Sequence, residues 1–259
     1  MTCTFTLPAM TLLSHDTAGD GPDVALFHSS VCDRRMWDPQ WQTLIDAGFR
    51  VTRFDFQGFG ETPVPTGPWN ASEDVIALLD SLGIGRFHAV GASFGGRVAH
   101  QLAARWPDRV EKLLLLCSAA AVIDSTPDLD AFDEREEELV EQADIDALVA
   151  LNVDTWLGPE ASAEMREFVG AMQRRAFEVQ FADEVDAPST KPEFDLADIT
   201  AETLVVQGAK DLEFFVKTAR VLAGEIPGAR LVELDWAGHL PTLENPAKTE
   251  PLILDFLKA

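Results

Sequence analysis

Arg86-Phe87-His88-Ala89-Val90 runs into Gly91-Ala92-Ser93-Phe94-Gly95-Gly96, with an alanine-rich helical stretch behind it, and this passage decides the fold. The apolar run reads as a buried strand, the glycines as a sharp turn, and the continuation as a helix. The glycines on both sides of Ser93 have a steric purpose. A turn this tight holds the serine in strained backbone geometry, and larger side chains would strike the neighbouring strand or helix. The turn lifts the Ser93 hydroxyl above the sheet, and the helix behind it aims backbone N–H groups and a positive dipole end at developing negative charge. Strand, G-x-S-x-G and helix together form the pattern of a nucleophilic serine. A glycine-rich turn with a capping serine is the plainer interpretation, and the strand-helix context argues against it. A dinucleotide-binding loop fails because Ser93 occupies the middle glycine position of G-x-G-x-x-G.

Outward from this turn, short β-rich runs alternate with amphipathic helical stretches, the signature of an α/β fold with a mostly parallel central sheet flanked by helices. The strands are expected at Val24 to Phe27, Arg50 to Phe54, Phe87 to Val90, Lys112 to Cys117, Thr203 to Val206 and Leu231 to Leu234. From Asn70, a helix would place Val75, Leu78, Leu79 and Leu82 on one face. Glu73 would close a capping box and Gly83 would stop the helix. The stretch from Asp124 to about Phe194 breaks the rhythm: it is helical in pattern and acidic, as at Asp133, Glu134, Glu136, Glu137 and Glu138. The acid run reads as a solvated helix face, with Pro188 and Pro192 marking the return to the sheet. The expected division is therefore a core of 1–123 and 195–259 interrupted by a helical cap at 124–194.

A serine hydroxyl is a poor nucleophile at neutral pH, so a base must take its proton and a third group must hold that base in one tautomer. His239, in Ala237-Gly238-His239-Leu240-Pro241, follows the strand at Leu231 to Leu234 and falls at the carboxyl edge of the sheet, where Ser93 also falls. His15, His88 and His100 read as packed or surface residues. Asp211 follows Thr203-Leu204-Val205-Val206-Gln207-Gly208-Ala209-Lys210 and reaches the same edge, whereas Asp235 lies too close to His239 in sequence to orient it. The order Ser93, Asp211, His239 suits this arrangement. For an oxyanion, the Phe94 N–H is one expected donor and the Ser30 N–H, in His28-Ser29-Ser30-Val31-Cys32-Asp33, is the other.

Composition narrows the partners. The chain has 259 residues, 44 acidic against 20 basic, and a formal net charge of -24. That field repels phosphate, so nucleic acid and anionic membranes are not expected partners. Leu113 to Ile123, the longest apolar run, is well short of a membrane span. Met1 to His15 lacks a charged start followed by a long apolar run and does not read as a secretory signal. Cys3, Cys32 and Cys117 are scattered and odd in number, which argues against a disulfide framework or a metal site. A cytoplasmic setting is expected.

The chain resembles the α/β-hydrolase family over nearly its whole length, and within it 3-oxoadipate enol-lactonases and related serine hydrolases. The likeness lies in the serine-bearing loop with Arg35-Met36-Trp37-Asp38-Pro39, in Phe54-Asp55-Phe56-Gln57-Gly58-Phe59-Gly60, in the turn at Ser93, in Leu116-Cys117-Ser118-Ala119-Ala120, in Trp156, and in Gly238-His239-Leu240. The resemblance implies the Ser93, Asp211 and His239 triad, a helical cap and no cofactor. It points to hydrolysis of a small-molecule ester or lactone through an acyl-enzyme. Perhydrolysis, carbon–carbon bond hydrolysis and a receptor-like binding role remain open on the same residues. Ser29 and Trp156 are expected pocket residues. An anionic enol-lactone would need local positive charge, for which Arg34 and Arg35, or Arg174 and Arg175, are candidates.

Overall fold

The computed structural model describes residues 12–182 and 187–259; Cys3 and most of the segment read above against a secretory signal lie outside them. Seven strands are present among the described residues: β1 (His15–Ala18), β2 (Asp23–Phe27), β3 (Arg50–Phe54), β4 (Phe87–Ala92), β5 (Val110–Leu116), β6 (Glu202–Gly208) and β7 (Arg230–Leu234). They form one sheet in the order β1-β3-β2-β4-β5-β6-β7. Only β1 runs antiparallel to its neighbour. The six expected strands are all found, with ends shifted by up to two residues. β1 is an addition. Its sequence, His-Asp-Thr-Ala, carries no apolar run, because an edge strand is half-solvated and held mainly through its backbone pairing to β3.

Strand periodicity sorts the core into two layers. Ala25, Phe27, Ala89, Leu113 and Leu115 face one side, packed with Val75, Leu78 and Leu79 of α2 (Ala71–Ser81) and Val98, Ala99 and Leu102 of α3 (Phe94–Arg105). Val24, Leu26, Val90, Leu114 and Leu116 face the other, packed with Leu44 of α1 (Asp38–Asp46) and with Ile253 and Phe256 of α9 (Pro246–Lys258). Every residue of β4 is buried. The strand that carries Ser93 at its end is thus pinned on both faces and both edges.

The side chain of Asn70 accepts from the N–H groups of Ser72 and Glu73, which starts α2 as expected. Glu73 does not complete the capping box; its carboxylate pairs instead with Arg105 of α3 at 2.7 Å, a stronger partner than a neutral N–H. Gly83, at φ +70, ends the helix. Between β5 and β6 lie α4 (Pro127–Glu141), α5 (Ile145–Trp156) and α6 (Ala163–Ala182), with no strand among the described residues of that stretch. The acids of α4 at Asp133, Glu134, Glu137 and Glu138 are exposed, but Glu136 is half-buried and accepts from the Asn152 amide at 2.7 Å, while Phe132 and Leu139 turn inward. No helix among the described residues is long and apolar enough to cross a membrane.

Candidate active site

Ser93 stands between β4 and α3 with φ 52 and ψ -117, a backbone conformation that costs an L-residue about 1–3 kcal/mol. The surroundings hold it there. Its N–H donates to the Leu116 carbonyl at 2.9 Å, and its carbonyl accepts from the N–H groups of Arg97 and Ala119, each at 3.0 Å. The flanking glycines are dictated by contact: a Cβ at Gly91 would lie 2.7 Å from the Gly95 oxygen, and one at Gly95 would strike the Phe27 carbonyl oxygen.

Two further strand ends converge on the same place. Asp211 follows β6, and its Oδ1 accepts from the Leu212 N–H at 2.7 Å. Its Oδ2 lies 2.7 Å from Nδ1 of His239, which follows β7. The two side chains are 1% and 2% exposed, so this contact is shielded from water. The Lys210 N–H donates to the Ala237 carbonyl at 2.8 Å and ties the two loops together. Asp235 is exposed and lies outside this arrangement.

Ser29, Ser30, Val31, Ser93, Phe94, Ala119, Trp156, Phe215 and His239 line one cavity of about 200 Å³. The His239 ring packs between Phe215, with ring centroids 4.2 Å apart, and Trp156 of α5, at 4.7 Å. The Trp156 indole N–H donates to Asn152 at 2.9 Å, which fixes its ring. The structure therefore brings together Ser29, Ser30, Ser93, Phe94, Trp156 and His239 around one space, with Asp211 directly behind the histidine. Among the described residues, neither the Phe94 N–H nor the Ser30 N–H is engaged by another backbone group. The Ser29 N–H, by contrast, donates to Met36 Sδ at 3.4 Å.

Arg34 and Arg35 do not join this cavity. They line a separate polar one with Asp33, Gly60, Glu61 and Arg175. Arg34 is drawn to the fully buried Asp55 carboxylate and also pairs with Asp16 and Glu61; Arg35 pairs with Asp33 at 2.6 Å. Burying Asp55 demands a cation, and Arg34 supplies it as a structural partner. Arg174 pairs with Asp146, and Arg175 donates to the Gly60 carbonyl at 3.1 Å.

Two residues beside His239 were not singled out from sequence. Glu244, in the short helix α8 (Pro241–Glu244), is buried and accepts from the N–H of Gly238 at 2.9 Å and of Leu240 at 3.2 Å, bracketing His239 on both sides. Its carboxylate also lies against Gly158, just beyond α5, where an added Cβ would strike it, and burial raises its pKa. Cys117, at φ +45, donates its thiol to the Gly238 carbonyl. Cys117, Asp211 and His239 hold donor atoms within 4.8 Å of one another. As a metal-ligand set they fit poorly. Burial pushes the thiol well above its usual range, the nearby Asp211 charge adds to this, and ligation needs the thiolate.

Comparison with known proteins places the chain among hydrolases. Residues 24–251 match the model of the alpha/beta hydrolase family. The chain is 30% identical to the 2-hydroxy-6-oxo-2,4-heptadienoate hydrolase of Pseudomonas putida, over 95% of this chain and 92% of the relative. Among solved structures, a hydrolase of Pseudomonas aeruginosa superposes with a TM-score of 0.77 at 33% identity, covering 95% of this chain and 94% of that one. The enol-lactonase of Burkholderia xenovorans LB400 also superposes at 0.77, with 28% identity over 95% of this chain and 96% of that one. A strained serine between strand and helix, an acid and a histidine on later strand ends, and a family match spanning most of the sequence lead to one conclusion: the chain belongs to the alpha/beta hydrolase family.

Proposed function

We propose that the protein hydrolyses a carboxylic ester or lactone of a small molecule through an acyl-enzyme on Ser93. The observation that carries this is the Asp211–His239 contact of 2.7 Å, out of water, with His239 and Ser93 on the walls of one cavity. With Asp211 holding Nδ1, Nε2 of His239 is left to take the Ser93 proton. The alkoxide attacks the carbonyl, and the N–H groups of Phe94 and Ser30 receive the oxyanion. His239 then protonates the leaving group and activates the water that releases the acid. In this reading α4–α6 form a cap, and Trp156 closes the cavity over His239.

A second reading has a specific ground. The Pseudomonas putida relative is named for a keto acid that carries no ester, so its hydrolysis cuts a carbon–carbon bond. The same triad would serve that reaction with a different substrate. Rates on phenyl acetate, a five-membered enol lactone and a vinylogous 1,5-diketo acid separate the two readings. Ester and lactone turnover that Ser93→Ala abolishes is expected; turnover of the diketo acid alone would favour carbon–carbon hydrolysis.

A further inference from the structure

Phe94 is a shared wall. Besides the cavity at Ser93 it lines a second, larger one of about 320 Å³. This space lies among the first turns of α3, the loop after β5, the start of α2 and residues 189–194. Its charge is unlike that of the rest of the molecule. Among the described residues no acidic one lines it, while Arg97 and Lys191 both do. Among the described residues neither of these cations makes an ion pair, although Arg34, Arg35 and Arg174 each do.

Arg97 also sits where helix electrostatics disfavour it. It lies in the first turn of α3, whose dipole presents positive charge, so it gains nothing there as a helix former. Its guanidinium carbon is 5.9 Å from the Phe94 ring centroid. In the wall beneath, His100 is 1% exposed and its Nδ1 has no hydrogen-bond partner. A buried polar atom left open in a cavity wall is what a ligand's polar group would satisfy. Burial, aided by the Arg97 charge, lowers His100 to about 3, so it stays neutral at working pH. Phe94, Val122 and Phe194 add apolar surface.

We propose that this second cavity binds a carboxylate through Arg97 and Lys191, and that the carboxylate is the far end of an acyl group whose carbonyl reaches Ser93. The site itself stands without the hydrolase reading; its use by the acyl group rests on it. The two cations supply locally the attraction that the net charge of -24 denies an anion at long range.

Two measurements separate these parts. The first is calorimetric titration of adipate into the Ser93→Ala protein at low salt. Saturable binding is expected, weakened about tenfold or more by Arg97→Gln and by Lys191→Gln, as for loss of a charged hydrogen bond, and weakened further by added salt. No binding, or equal binding by both variants, overturns the site. The second is the wild-type rate on monomethyl adipate against methyl hexanoate, which differ only in the terminal carboxylate. The adipate ester is expected to have the higher kcat/KM, and Arg97→Gln to erase the difference. Adipate that binds but does not compete with methyl hexanoate overturns the acyl placement and assigns the cavity to a separate carboxylate. Adipate binding without turnover of any ester upholds the site and counts against the ester-hydrolase reading.

Discussion

The loops at the strand ends and the helices α4–α6 both reach His239, but they are built on opposite terms. On the strand side the groups around the ring are placed by backbone: Asp211 at the end of β6, the Lys210 to Ala237 tie, and Glu244 bracketing Gly238 and Leu240. On the helical side α4 turns its acids at Asp133, Glu134, Glu137 and Glu138 to solvent, and Trp156 of α5 is the residue that touches the histidine. The difference teaches a division of labour. Under the proposed function, reaction geometry is set by a sheet that cannot shift without losing its core, while contact with the substrate falls to a few apolar side chains of α4–α6.

The largest test of this contrast is Asp211→Asn. Loss of the carboxylate that orients His239 is expected to lower kcat by about 10⁴-fold, measured by steady-state kinetics on whichever ester is turned over. A fall below tenfold would break the claim that the strand ends carry the chemistry. Trp156→Ala acts from the helical side. Removing a buried indole is expected to cost about 3 kcal/mol in urea unfolding and to raise KM more than it lowers kcat. The reverse kinetic pattern would merge the two regions into one. Glu244→Ala leaves buried N–H groups at Gly238 and Leu240 unsatisfied, and a loss of about 2 kcal/mol is expected. The variant should loosen the loop that carries His239, visible as faster hydrogen exchange at Gly238 and Leu240.

The effect that is smallest near neutral pH is that of His100. Burial depresses His100 from 6.5 to about 3, so between those values the unfolded chain binds a proton that the native protein does not. Its contribution to stability is complete above pH 6.5 and is lost as pH falls toward 3. That slope is at most about 1.4 kcal/mol per pH unit. His100→Gln should flatten it in thermal melts taken at a series of pH values, and an unchanged slope would remove His100 as its source.

How much of this was legible beforehand follows from which forces are local. The turn at Ser93 could be read because glycine spacing is a direct imprint of close backbone approach, and the collisions at Gly91 and Gly95 are that imprint seen in three dimensions. Asp211 and His239 could be placed because each follows an apolar strand, and parallel strands end at one edge. β1 escaped because an edge strand needs no apolar side chains. Arg34 was assigned to the wrong cavity because its main partner, Asp55, lies 21 residues on and is met only through tertiary packing, whereas Arg35 is held aside locally by Asp33. Glu244 left no signal beyond being an acid five residues after His239. Arg97 stood in plain view four residues after Ser93, yet only the fold reveals the cavity that it lines with Lys191.

The central claim is that Ser93 is an activated nucleophile with His239 as its base. Intact mass after exposure to a fluorophosphonate, with wild type, Ser93→Ala and His239→Ala run in parallel, tests it most directly. The account predicts a single adduct on wild type that is absent from both variants. A folded wild-type protein that takes no adduct, or an adduct that survives Ser93→Ala, would contradict it.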